Sequence, residues 1–378
     1  MPEYKALKLS SPAFLREDSP IYEAKAIVFD CDGVLIDARD SYNMAVVKTV
    51  EYIMGKLTGI RFKAKRDIIK ALYLLRSSGG FNSDWDSTYC IILKLFSELP
   101  ESFLSKFNSL LQGGKKENLN LYEKLNELSK GLKKTIKGEQ LKEALYSLED
   151  FKADERGYKS VEEYLFSNSN QVKSQALKNL KEFLNYPDEV GFSLISTIFN
   201  DYFYGPELDE RLKGLSRFRL KRLINYERVL VNEERLKRLK QLFNGKMSLA
   251  TGRSYRGTRY TLGKLMDYFN LKVSVFLEDI IREKRLKGEE YEALVKPNPY
   301  PLLKASEVFD GKVIYVGDSM EDLLMSKRAN EIENRFFFVG FYSTNLNPSK
   351  HIELLKKEGA DLIVKDMKDF LEALRREE

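Results

Sequence analysis

Residues 24–37 read AKAIVFDCDGVLID. The run AIVF is apolar at every position, as expected of a strand buried on both faces of a parallel sheet, and it stops on an acid, Asp30. Two carboxylates, Asp30 and Asp32, leave the strand end two residues apart and therefore on one side, while Gly33 lets the backbone turn sharply. Cys31 alternates to the opposite face and is expected to be inert packing. Acids and glycine also cluster in ordinary turns and calcium loops, so the placement directly after an apolar strand is what sets this stretch apart. One carboxylate can attack phosphorus and give a mixed anhydride that water cleaves, and its neighbour can protonate the leaving alkoxide and then activate water.

Outward from this stretch the chain divides in two. From about residue 246 apolar runs alternate with helix-like segments: KMSLA (246–250), VSVF (273–276), KVIYV (312–316), RFFFVG (335–340) and ADLIV (360–364). Strands alternating with helices predict an α/β fold with a doubly wound parallel sheet. Between the two parts, YNMAVVKTVEYIM, RDIIKALYLL, LYEKLNELSKGLKK and VKSQALKNLKEFL return apolar residues at helical spacing, with polar breaks such as GGKKEN (113–118) and SNSNQ (167–171). The expected organisation is residues 1–38 as first strand and catalytic loop, 39–244 as an inserted all-helical domain, and 245–378 as the rest of the α/β domain. An insertion at that point is expected over the carboxyl edge of the sheet, where open α/β sheets bind ligands.

Three further strand ends carry reactive side chains. MSLATGR (247–253) ends in Thr251-Gly252-Arg253, a hydroxyl and a glycine amide able to donate to a phosphoryl oxygen; by itself Thr251 serves equally as a helix cap. Lys296 lies in VKPNP (295–299), where an ammonium could neutralise phosphoryl charge, although an isolated lysine is ordinarily solvated. VGDSMED (316–322) follows KVIYV, placing Asp318 to ligate a hard cation, with Asp322 suited either to capping with Ser319 or to supporting the metal.

Four such elements in order, each just past an apolar strand, resemble the haloacid dehalogenase superfamily, and the helical insertion after the first resembles its subfamily with a first-type helical cap, similar to phosphoglycolate phosphatases. The resemblance covers about 24–37 and 232–376 well and the insertion loosely. It implies Asp30 as nucleophile, Asp32 as general acid/base, Thr251 and the Gly252 amide on the phosphoryl group, and Lys296 steadying the charge. It implies Mg²⁺ held by Asp30, the Asp32 carbonyl and Asp318, with Asp322 in support. The expected activity is a phosphatase acting on a small phosphorylated metabolite, phosphoglycolate or a sugar phosphate; a phosphomutase and a non-catalytic phosphate-binding relative share the motifs. Dehalogenases of the superfamily resemble a pattern lacking Asp32 and the metal.

In the insertion, GGFNSDWD (79–86) combines two glycines with the sole tryptophan, a mixture suited to a loop over a ligand, and Asn82 is a candidate substrate contact; the alternative has Ser83 capping a helix and Trp85 packing. Arg253 and Arg256 are candidates for a second anionic group on the substrate, or for surface ion pairs.

Composition narrows the classes. At 378 residues the chain is long enough for two cores, and two cysteines without C-x-x-C spacing argue against a disulfide or zinc framework and suit a reducing, cytoplasmic setting. With 63 basic and 57 acidic residues interspersed, the net charge of +6 points to a solvated surface rather than nucleic-acid binding. The densest basic run, Arg217, Arg219, Lys221 and Arg222, reads either as one face of an exposed helix or as an attraction for an anionic substrate. No run approaches the roughly 18 apolar residues needed to span a bilayer, so no membrane association is expected. A monomer or homodimer is expected. The single histidine, His351, leaves acid–base work to carboxylates, lysine or tyrosine.

Overall fold

The AIVF run forms a strand because all four side chains are fully buried and successive apolar positions face opposite sides of the same sheet. In the computed structural model, which describes residues 2–78, 80–81, 83–112, 119–133, 135–218, 221–287 and 294–375, nine strands are described: β1 (Tyr4–Leu7), β2 (Ala13–Arg16), β3 (Ala26–Phe29), β4 (Ile36–Asp37), β5 (Arg228–Val229), β6 (Met247–Leu249), β7 (Val313–Gly317), β8 (Phe336–Phe341) and β9 (Leu362–Val364). Seven of them make one sheet in the order β1-β2-β9-β8-β7-β3-β6. From β9 to β6 every pairing is parallel, and the β1–β2 hairpin closes the β9 side antiparallel. The expected α/β doubly wound sheet with a large helical insertion is what the chain forms.

VSVF is the exception among the expected strands. Val275 exchanges bonds with Leu249 and Thr251, giving a single bridge to Ala250, and the ladder stops because Phe276 turns its amide to Asp279 and a helix begins at Leu277.

The chain divides into an α/β unit, Met1–Arg39 with Tyr226–Glu378, and a helical unit, Asp40–Asn225. The return to the α/β unit therefore comes at Tyr226 rather than at 245. Residues 226–244 belong there because Val229 pairs with Ile36 and the helix Glu233–Leu242 buries Leu236 and Leu239. Within the helical unit, helices such as Arg39–Thr58, Asp84–Ser97 and Gln171–Leu184 enclose a core of their own that runs from Ala45 to Ile224. The α/β core is built separately from Ala26, Val28, Leu302, Val313, Tyr315, Phe338 and their neighbours.

The basic run is not a helix face over its described residues. Arg222 is instead drawn inward onto the buried Asp201, its Nη1 lying 2.9 Å from the Asp201 carbonyl. No helix among the described residues is long and apolar enough to cross a membrane.

Candidate active site

The site begins with strand register. Phe29 pairs with Leu249 on one side and Val316 on the other, so β6, β3 and β7 end nearly flush. Asp30 donates its N–H to the Val316 carbonyl at 2.9 Å, and Ala250 donates to the Phe29 carbonyl at 2.9 Å. Asp30, Thr251 and Asp318 consequently emerge together at the carboxyl edge of the three central strands, the edge at which open α/β sheets bind ligands.

Lys296 reaches the same edge from its proline-bounded loop. Its Nζ lies 2.8 Å from Asp30 Oδ1 and 2.7 Å from Asp322 Oδ1. Burial disfavours the ammonium, but Asp30 and Asp322 outweigh it and hold Lys296 charged, above the ordinary lysine range. Asp322 lies in the first turn of the helix Met320–Ile332 and forms a capping box with Ser319, so the capping role expected for it is present. Its Oδ2 accepts from the Ser319 hydroxyl at 2.6 Å and amide at 3.1 Å, and its Oδ1 accepts from the Tyr315 hydroxyl at 2.6 Å as well as from Lys296. Although burial pushes Asp322 upward, Lys296 and these donors hold its carboxyl below the usual range.

Asp318 is packed against the turn after β3. Gly33 has φ +73°, and a Cβ there would fall 1.8 Å from Asp318 Oδ2, so only glycine allows this close approach. Thr344 donates its hydroxyl to the same Oδ2 at 3.0 Å. Burial, then the nearness of Asp322 and Asp30, pushes Asp318 well above the ordinary carboxyl range. Burial likewise lifts Asp30 to about 7 despite the pull of Lys296. One ammonium is thus too little positive charge for this group of acids.

Carboxylate oxygens of Asp30, Asp318 and Asp322 all lie within 4.8 Å of one another. With both Asp322 oxygens engaged by hydrogen-bond donors, Asp30 and Asp318 are the acids with a second oxygen to offer. An anionic, all-oxygen donor set with a deficit of positive charge fits a hard divalent cation.

Thr251 is 1% exposed, and its hydroxyl accepts the Arg253 amide at 3.2 Å, tightening the turn after β6. Gly252 is exposed, with open space where a Cβ would be. Cys31 is fully buried and its thiol pushed up by burial first and by Asp30 second, in keeping with inert packing. Arg253 differs from expectation: its side chain is 1% exposed, and its terminal nitrogens are engaged by Asp32 Oδ1 at 2.7 Å and by both Glu227 oxygens at 3.0 and 2.8 Å. Of the two roles weighed for Arg253, pairing with Asp and Glu is the one present, inside the protein rather than on its surface. Arg256 is exposed on the helix Tyr255–Leu262.

Asn82 lies outside the described residues. Beside it, Ser83 caps the helix Asp84–Ser97 and Trp85 packs against the helical core, which is the structural alternative weighed for that loop.

Sequence reasoning missed four residues that shape the site: Glu227, Tyr315, Thr344 and His351. The imidazole of His351 meets the Asp318 backbone from inside the helix Pro348–Lys357, and burial disfavours its charged form. Their spacing along the chain carries no motif; only the fold brings them to Asp32, Asp322 and Asp318.

Comparison with solved structures gives an X-ray structure of a Northeast Structural Genomics Consortium target, similar over 93% of this chain and 98% of that chain at 18% identity and a TM-score of 0.62. Phosphatase Tt82 from Thermococcus thioreducens aligns over 88% of this chain and 99% of its own at 23% identity, with a TM-score of 0.47. No curated relative matches the chain. The model of the haloacid dehalogenase-like hydrolases matches residues 24–330, which carry all the strand-end motifs described above, and the chain belongs to that family.

Proposed function

We propose that this hydrolase is a Mg²⁺-dependent phosphatase that cleaves a small phosphate monoester through an aspartyl phosphate on Asp30. The observation that supports this most is the placement of Asp30: a buried strand-end carboxylate paired with Lys296 at 2.8 Å and clustered with Asp318. In this reading an Asp30 oxygen attacks phosphorus while Lys296 offsets the charge and the Thr251–Gly252 turn donates to the phosphoryl oxygens. Asp32 gives a proton to the departing alkoxide, then takes one from the water that cleaves the anhydride, returning Asp30 and releasing phosphate. Asp30, Asp318 and the Asp32 carbonyl would hold Mg²⁺, which when bound adds positive charge beside the phosphoryl oxygens. Asp322 holds Lys296 and the 318–319 turn in place.

Phosphoglycolate and sugar phosphates are the substrates proposed. The test is phosphate release from a panel of these and an aryl phosphate, with Mg²⁺ or with EDTA. Turnover of at least one ester that stops in EDTA is expected; turnover indifferent to metal would overturn the cation dependence, and no release from any ester would overturn the phosphatase reading.

A further inference from the structure

We propose that Arg253 and Glu227 are positioning residues that fix the Asp32 carboxylate for proton transfer; this rests on the reading of Asp32 as the acid/base. Asp32 stands on an open turn with its side chain 39% exposed, where a short carboxylate would otherwise sample several rotamers. Proton transfer requires it within hydrogen-bond reach of the leaving oxygen, a tolerance of a few tenths of an ångström. Arg253 supplies the constraint. Its Nη1 donates to Asp32 Oδ1 at 2.7 Å, and the guanidinium is itself held by Glu227 through Nη1 at 3.0 Å and Nη2 at 2.8 Å. Glu227 has a fully buried side chain, and its Oε2 also accepts the Thr261 hydroxyl at 2.5 Å. The Arg253 backbone is pinned at both ends, its amide donating to Thr251 Oγ1 at 3.2 Å and its carbonyl accepting the Leu277 amide at 2.9 Å.

These contacts close a ring around the catalytic turn. Asp32 bridges to Ile36, Ile36 pairs with Val229, and Glu227 stands two residues before Val229. The Arg253–Glu227 strut completes the circuit back to Asp32. Burying an arginine between two carboxylates is a poor way to gain stability, since apolar side chains of the same volume pack as well. What a planar, forked guanidinium adds is direction. A buried arginine with Glu227 behind it is also the wrong group to meet a substrate anion, which is why the strut accounts for it better.

The test compares kcat/KM for an alkyl phosphate and a nitrophenyl phosphate, because this ratio covers the steps up to leaving-group departure and only the alkoxide needs a proton there. The variants are Asp32→Asn, Glu227→Gln, Arg253→Lys and the double variant Arg253→Met/Glu227→Met, which removes both charges and leaves neither partner stranded. Circular dichroism and thermal unfolding monitor the fold.

For the double variant a loss of about 100-fold on the alkyl ester is expected, with less than about 10-fold on the aryl ester. Arg253→Lys should fall between this and the parent. Equal losses on the two esters, or an unchanged alkyl rate, in the folded double variant would overturn the strut alone, provided Asp32→Asn shows the leaving-group-selective loss. If Asp32→Asn itself fails to discriminate the two esters, the acid/base reading fails and takes the strut with it.

Discussion

At the scale of single residues, Asp322 illustrates how much of the site depends on one buried carboxylate. Its oxygens accept from Lys296, Tyr315 and Ser319, and it is 1% exposed. Asp322→Ala leaves the Lys296 ammonium with Asp30 alone in a buried setting, so a loss of about 3–5 kcal/mol in urea unfolding is expected, together with loss of turnover. Tyr315→Phe removes one donor only and should cost about 1 kcal/mol. Gly33→Ala acts differently. Its methyl would strike the Asp318 carboxylate and its φ of +73° disfavours any side chain, so cation affinity and turnover should fall together while the far side of the sheet stays protected from hydrogen exchange. Asp30, Asp32, Thr251 and Asp318 stand out in the sequence because each follows an apolar strand, and Lys296 because of its place in the VKPNP loop; the fold brings them to one edge of the sheet. Glu227 and Thr344 were not, since their partners lie far away along the chain. The inward course of Arg253 is hidden for a related reason: its neighbour Gly252 is exposed, and nothing local reveals that the next side chain turns inward to Glu227.

At the scale of elements, the β4–β5 ladder ties together the two passages of chain that border the helical unit. Asp37 accepts from the Arg39 guanidinium through two bonds, at 2.8 and 2.7 Å, from the Arg39 amide at 3.3 Å and from Arg228 at 2.7 Å. Hydrogen bonds from Arg39 come first in holding the Asp37 carboxyl near 2 instead of the ordinary 3.8, with burial opposing. A carboxyl whose acidity is strengthened by folding stabilises the folded chain above the unfolded value, near pH 4, and that contribution is lost as pH falls through about 2. The full difference corresponds to about 2 kcal/mol, and less after screening because both arginines are partly exposed. Asp37→Asn should therefore lower stability by about 1–2 kcal/mol at pH 7, and between pH 4 and 2 its stability should fall less steeply than that of the parent. A parallel fall in both proteins would contradict this. The ladder itself was invisible in the sequence, being two residues long on each side. The β1–β2 hairpin was equally hidden, because its outer strand has no fully buried position and carries no apolar run. β3, β7 and β8 were readable because all their positions are buried and apolar patterning needs no alternation to be seen.

At the scale of the whole molecule, the two hydrophobic cores are made from separate stretches of chain, one from 45–224 and the other from the α/β unit. Because Asp37 pairs with Arg228, residues 40–225 can be replaced by a short hairpin turn without parting the flanking strands. The resulting α/β protein should fold cooperatively and keep the described site residues of that unit. A molten, non-cooperative product would show that its core is insufficient alone. For the complete chain, saturating Mg²⁺ should raise the unfolding temperature, by an amount equivalent to about 2.7 kcal/mol at a hundredfold excess over Kd, and Asp318→Asn should abolish the shift.

Whether Asp30 carries the phosphoryl group during turnover is decided by quenching the wild-type enzyme in acid during hydrolysis of its best ester and mapping its peptides by mass spectrometry. One phosphoryl adduct is expected, on the peptide containing Asp30, reducible by borohydride to homoserine at that position and absent from Asp30→Asn. Sustained turnover by Asp30→Asn, or an adduct on any other residue, would contradict it.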